Sequence, residues 1–239
     1  MDKNGQENGP ALRSYHDIAK MIDHSLLRPE LTEQQVRDGC EVARKYDVAS
    51  VTVRPCDVDL AVRLMDGCKV PVGSVAGFPH GAMTTEAKLF EARDLLRRGA
   101  KEVDMVLNIS KLVSRQFQYV ETELAQMAQA CHEGGAILKV IFENAYLTDE
   151  LKVIACRISE RAGADFVKTS TGFAPTGATL EDLRLMRANV GPQVQVKAAG
   201  GVRTLDSAIK VYEVGCSRFG ATATITILED WKKRLAAQT

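Results

Sequence analysis

Eight strand-like segments at helix-sized intervals, a glycine-to-strand junction that recurs along the chain, and the lack of a glycine-rich dinucleotide turn predict an α/β fold of the (β/α)8 (TIM) barrel class in a single domain. The strands begin near Ile22, Ala49, Pro71, Glu102, Ile137, Asp165, Val194 and Arg218, and successive starts lie 22 to 35 residues apart. Each interval holds a strand, a crossover helix and two short loops. Strand and helix in alternation imply parallel strands with right-handed crossovers. An open doubly wound sheet uses the same alternation, but the first βα turn has no G-x-G-x-x-G and the chain has no Walker A pattern.

Each element has a local reason. Residues 1–13 are polar and read as a flexible leader, which leaves 14–239 for the barrel. IDHSLL, ASVTVR and PVGSVAGF supply the first three strands. Thr32 and Gln35 have capping-box spacing ahead of VRDGCEVARKY, Thr179 and Asp182 resemble the same device ahead of LRLMRA, and EAKLFEARDLLRR has helical apolar spacing. Four segments then repeat one construction: RRGAKEVDMVLN, HEGGAILKVIFEN, RAGADFVKTSTG and EVGCSRFGATAT. A glycine after the last helical turn accepts a left-handed conformation, and the apolar run behind it reads as a buried strand. Five residues on from Gly99, Gly134, Gly163 and Gly215 stand Asp104, Lys139, Lys168 and Gly220, although counting from Gly135 gives four for the second. In GPQVQVKAAGG, Lys197 follows Gly191 by six.

Composition excludes more than it names. Lys plus Arg and Asp plus Glu both number 31, so the net charge is zero and the basic surplus of a nucleic-acid binder is missing. No run of eighteen uncharged apolar residues occurs, and the N-terminus lacks a secretion pattern, so a soluble cytoplasmic protein without membrane or nucleic-acid partners is expected. The six cysteines form no C-x-x-C pair and read mostly as small core residues in a reducing compartment. The four histidines show no zinc spacing, and no metal is expected.

Charges inside the strands carry the functional reading. Asp104, Lys139, Lys168 and Lys197 lie in four successive apolar strands, three cations against one anion. Such residues are normally excluded from a core, and the competing reading is that some point outward between helices. A free lysine at neutral pH holds on the order of one neutral amine in a thousand, so a nucleophilic lysine needs tuning. A second ammonium in a desolvated site lowers its pKa, as for Schiff-base lysines. Lys168 and Lys197 on adjacent strands have that relation, and Asp104 can shuttle protons. Lys139 reads as the structural member. After strands seven and eight, AAGGVRT with Gly200, Gly201 and Arg203, and RFGATAT with Gly220 and Thr222, sit where barrels bind phosphate. TSTGFAPTGAT suits the same pocket. Asp23, His24 and Ser25 are adjacent, so strand alternation argues against a triad, and His80 in GFPHG reads as a turn residue.

These motifs, IDHSLL, GFPHG, EVDMVLNI, ADFVKTSTGF, VKAAGGVRT and RFGA, resemble the deoxyribose-phosphate aldolase family over nearly the whole chain. The resemblance implies a cofactor-free, metal-independent enzyme that reversibly cleaves 2-deoxy-D-ribose 5-phosphate to D-glyceraldehyde 3-phosphate and acetaldehyde, in deoxyribonucleoside catabolism. It implies Lys168 as the Schiff-base lysine, Asp104 as the proton-transfer aspartate and Lys197 as the second catalytic lysine. It also places Gly172, Gly200, Gly201 and Gly220 near the phosphate, and implies a homo-oligomer, dimer or tetramer. Three positions depart from the pattern: Thr52 where many members have Cys, Arg54 where many have Asn, and Ala223 where Ser is frequent. A related imine-forming aldolase with another acceptor or donor, and a catalytically silent sugar-phosphate-binding barrel, are the alternatives.

Overall fold

The computed structural model describes residues 12–237. Eight parallel strands close into a barrel in chain order: β1 (Ile22–Leu26), β2 (Ser50–Val53), β3 (Val72–Ala76), β4 (Glu102–Val106), β5 (Ile137–Ile141), β6 (Phe166–Lys168), β7 (Gln195–Ala198) and β8 (Arg218–Ala221). The last strand pairs with the first through Ile22 opposite Phe219 and Asp23 opposite Gly220. Every predicted strand start falls within one residue of its strand. The helices are α1 (Tyr15–Ala19), α2 (Glu33–Lys45), α3 (Val58–Leu64), α4 (Thr85–Arg97), α5 (Ile109–Val113), α6 (Phe117–Glu133), α7 (Asp149–Arg161), α8 (Leu180–Ala188), α9 (Leu205–Glu213) and α10 (Thr224–Ala236). Among the described residues no helix is long and apolar enough to cross a membrane.

Most of the expected leader, residues 1–11, lies outside the described residues. Directly after it comes α1, which the sequence analysis does not anticipate. Its five residues are too few to show a helical period. Ser14 caps it, with the Asp17 carboxylate accepting from the Ser14 backbone at 2.7 Å. The helix is held to α10, where Trp231 Nε1 donates to the Ser14 carbonyl at 3.0 Å.

Local signals otherwise act as expected, with two differences. Gly99, Gly163 and Gly215 adopt left-handed φ of +103°, +84° and +88° behind their helices. In the fourth junction Gly135, at φ +65°, takes that conformation while Gly134 caps the helix, so Lys139 is four residues on and not five. Thr32 and Gln35 complete their capping box. At α8 the Thr179 hydroxyl accepts from the Asp182 backbone at 3.1 Å, but the Asp182 carboxylate turns instead to Lys152 at 2.7 Å.

The strands are buried on both faces, as in a sheet covered by helices. In α4, Lys88 occupies the buried stripe with Leu89, Ala92 and Leu95. Its ammonium reaches Glu123 of α6 at 3.0 Å and donates to the Val106 carbonyl at 2.8 Å, while Glu123 accepts from the Asn108 backbone at 3.1 Å. This buried pair ties two helices to the end of β4.

Candidate active site

The four interior charges all face the barrel axis side of their strands and are buried, with Asp104 and Lys139 at 0%, Lys168 at 3% and Lys197 at 1% exposure. None points outward between helices. Register explains their meeting: Asp104 stands opposite Lys139 across β4 and β5, and Lys168 opposite Lys197 across β6 and β7. Asp104 Oδ2 receives both Lys168 Nζ and Lys197 Nζ at 2.7 Å, and its Oδ1 receives Lys139 Nζ at 2.9 Å. One carboxylate therefore links three lysine side chains.

Three further residues complete the cluster: Asp23, weighed from the sequence only as a triad member, and Glu102 and Arg218, read there only as strand starts. Asp23 approaches Lys197 at 2.5 Å, Lys139 at 3.3 Å and Arg218 at 2.5 Å. Glu102 approaches Lys139 at 2.5 Å and Arg218 at 3.3 Å. The cation surplus expected from Asp104 and the three lysines is thus corrected: Asp23 and Glu102 add two carboxylates, and Arg218 adds one cation. With Lys168 neutral, three cations face three anions. With Lys168 charged, one positive charge is in excess. Buried ions are tolerated only when paired, so this composition favours the neutral amine at one lysine.

The electrostatics distinguish the lysines. Burial, the largest influence on Lys168, pushes its pKa down to about 8, with Asp104 opposing and Lys197 reinforcing the shift. Both causes expected from the sequence, desolvation and the Lys197 ammonium, act here, and desolvation is the larger. Burial also disfavours the Lys139 ammonium, but Asp104, Asp23 and Glu102 outweigh it and hold that pKa above its ordinary value. Lys139 is a structural cation. Burial would raise the Asp104 carboxyl, yet Lys139, Lys168 and Lys197 keep it well below the usual carboxylate range. Asp23 is lowered in the same way against its own burial, by Lys139, Lys197 and Arg218.

Above the cluster opens a pocket, continuous with solvent, at the C-terminal ends of the strands. Lys168 and Lys197 lie on its floor, and Gly172, Gly200, Gly201, Arg203, Gly220 and Thr222 all line it. Gly200 and Gly201 have φ of +78° and +99°, which a side chain rarely adopts. A Cβ on Gly177 would lie 2.5 Å from the Gly200 carbonyl, so the β6–α8 and β7–α9 loops meet backbone to backbone. Gly220 belongs to β8 itself, where a Cβ would reach to 3.9 Å from Lys197 Cε. Glu143, also absent from the sequence reading, sits buried at the end of β5 in a left-handed conformation (φ +57°). Its carboxylate accepts from the Thr171 backbone at 3.2 Å and from the Thr171 hydroxyl, and Thr171 Oγ1 accepts from the Phe173 backbone at 3.1 Å. That chain shapes the pocket-lining loop after β6.

The departures from the family pattern occupy distinct places. Thr52 lines the pocket, and its buried hydroxyl has no hydrogen-bond partner among the described residues. Arg54 lies outside the pocket lining and bonds to Asp57 at 2.6 Å. Cys40, Cys131, Cys156 and Cys216 are buried, as expected of most of the cysteines, while Cys68 is half-buried and Cys56 is exposed. His24 bonds to Thr224 at 2.8 Å on the outer side of β1, and His80 is exposed.

A match to the DeoC/LacD family aldolase spans residues 18–233. Deoxyribose-phosphate aldolase of Caldanaerobacter subterraneus subsp. tengcongensis is 50% identical over 222 residues, covering 92% of this chain and 96% of the relative. Among solved structures, the chain is similar to QR15, an aldolase, with a TM-score of 0.88 and 38% identity over 93% of this chain and 99% of that one. It is also similar to a deoxyribose phosphate aldolase from Aeropyrum pernix, described as tetrameric, with a TM-score of 0.86 and 32% identity over 93% and 94% of the two chains.

Proposed function

The chain belongs to the DeoC/LacD aldolase family, and from that premise we propose that it is a Schiff-base aldolase that reversibly cleaves 2-deoxy-D-ribose 5-phosphate. The observation that carries this reading is one carboxylate oxygen of Asp104 bridging Lys168 and Lys197 on the floor of an open pocket. In cleavage, the neutral Lys168 amine attacks C1 of the open-chain sugar phosphate, and loss of water gives an iminium. Asp104, through water oriented by Lys197, takes the proton of the C3 hydroxyl. The C2–C3 bond breaks, its electrons enter the iminium as an enamine, and glyceraldehyde 3-phosphate leaves. The same relay returns a proton to C2, and water hydrolyses the imine to acetaldehyde and free Lys168. Gly172, Gly200, Gly201, Arg203, Gly220 and Thr222 receive the phosphate. Sodium borohydride with the phosphorylated sugar should fix a covalent adduct to Lys168. An unmodified Lys168 would refute the imine. A matching kcat/KM for deoxyribose with and without its 5-phosphate would instead indicate an aldolase with another substrate.

The pH dependence follows from the Lys168 amine. Only its neutral form attacks, and its pKa is pushed down to about 8. Imine formation by the free enzyme should therefore rise with pH along a limb centred near 8, more than two units below an ordinary lysine. A limb near 10 in kcat/KM would contradict the assignment.

Thr52 bears on durability. It presents a hydroxyl where many relatives carry a thiol that can add to reactive aldehydes. The protein should keep more activity than its Thr52→Cys variant after prolonged incubation in acetaldehyde. Equal loss of activity by both would remove the idea. Oligomerisation as a dimer or tetramer, supported by the tetrameric relative, is to be read from light scattering.

A further inference from the structure

The β1–α2 loop brings a second guanidinium to the pocket mouth. Arg28 lines the pocket, its side chain is exposed, and among the described residues no hydrogen bond or ion pair engages its guanidinium. Its backbone, by contrast, is pinned. Arg54 Nη1 donates to the carbonyls of Arg28 at 3.3 Å and Pro29 at 2.9 Å, while Arg54 Nε is held by Asp57 at 2.6 Å. Arg54 thus spends its donors on fixing the loop and leaves the Arg28 side chain free. Strand order sets where that free cation stands. Because β8 lies between β7 and β1, the residues at its C-terminal end, Gly220, Ala221 and Thr222, are flanked by Arg203 on one side and Arg28 on the other. Arg203 is exposed and unpartnered among the described residues as well.

We propose that Arg28 is a second phosphate-binding residue that determines preference for phosphorylated substrates, and that Arg54 is the positioning residue that aims it. A phosphate dianion offers three oxygens, and a guanidinium on each flank matches them with paired N–H donors at fixed spacing, which a single arginine and backbone amides do not provide. Ala223 supplies no hydroxyl on the β8 loop, so Arg28 supplies the missing donors from the neighbouring loop. The assignment rests on the aldolase reading above for its substrate, but not for its charge chemistry.

The test compares the parent with Arg28→Ala, Arg54→Ala and Arg54→Lys. In Arg28→Ala the ratio of kcat/KM for deoxyribose 5-phosphate to that for deoxyribose should fall about tenfold or more, the scale of one charge-assisted contact. Arg54→Ala should lower the same ratio by less, and Arg54→Lys should not restore it, since one ammonium cannot hold both carbonyls and Asp57 in the same fork. Inorganic phosphate binding to the free protein, measured by calorimetry, should weaken in parallel in Arg28→Ala. An unchanged ratio and unchanged phosphate affinity in Arg28→Ala would overturn the proposal. Failure of the aldolase reading shows separately, as no borohydride-trapped adduct on Lys168 in the parent, while the calorimetry still decides on Arg28.

Discussion

Lys168→Ala is expected to lower kcat on the order of 10⁵-fold or more, because the electron sink for carbon–carbon cleavage is the imine itself and no other group supplies one. Lys197 is the nearest candidate for a substitute, standing opposite Lys168 across the strand pair. Its Nζ is, however, already engaged by Asp23 at 2.5 Å and Asp104 at 2.7 Å, so it is not free to turn toward the substrate carbonyl. Asp104 keeps Lys139 and Lys197 as partners after the substitution, so the variant should remain folded, as checked by thermal unfolding. Mass spectrometry after acetaldehyde and borohydride should find an ethyl group on Lys168 in the parent and none in the variant. Full turnover by the variant would disprove the mechanism.

The second large effect is expected at Asp104, and it has three separable parts. Asp104→Asn should reduce kcat by roughly 10²–10⁴-fold, the usual contribution of a positioned proton-transfer group. It should also destabilise the fold by about 3–5 kcal/mol, because a buried anion shared by three lysines disappears and leaves the cluster's cations underpaired. Finally, Asp104 is the group that opposes the depression of the Lys168 pKa, so the activity limb should move below about 8 in the variant. Denaturant unfolding and a pH profile of kcat/KM read the last two. The sign for acid stability is fixed as well. The folded Asp104 carboxyl lies well below its ordinary value, so its contribution is present above the ordinary carboxylate range and is lost as pH falls through the depressed pKa. A variant that matched the parent in both stability and limb position would exclude Asp104 from the charge cluster.

Much of this was legible in residue order. Glycine after a helical turn and a β-branched run after the glycine are local signals, and they locate the strands. Asp104, Lys168 and Lys197 stand out because a charge in an apolar strand has no cheap explanation. The rest of the cluster depends on long-range pairing. Asp23 looks like a neighbour of His24 until barrel closure brings it to Arg218, 195 residues away. Glu102 and Arg218 are the first residues of their strands, where a charge ordinarily meets water. Glu143 shows no sign in FENAY that its carboxylate will hold Thr171 across the next loop. Arg28 and Arg54 are surface arginines in sequence, and only the fold reveals that one fixes the loop that carries the other.

The buried charges come from β1, β4, β5, β6, β7 and β8, and this distribution bears on how the chain reaches its native state. No consecutive pair of βα units contains the whole cluster. A half-formed barrel would expose some of these ions to water or bury them without partners, and the second arrangement is costly. Their pairing is complete only after the terminal strands zip together, at the highest sequence separation the topology allows. Closure and charge neutralisation are thereby one cooperative event, so catalytic competence reports on the integrity of the entire ring and not on any fragment of it.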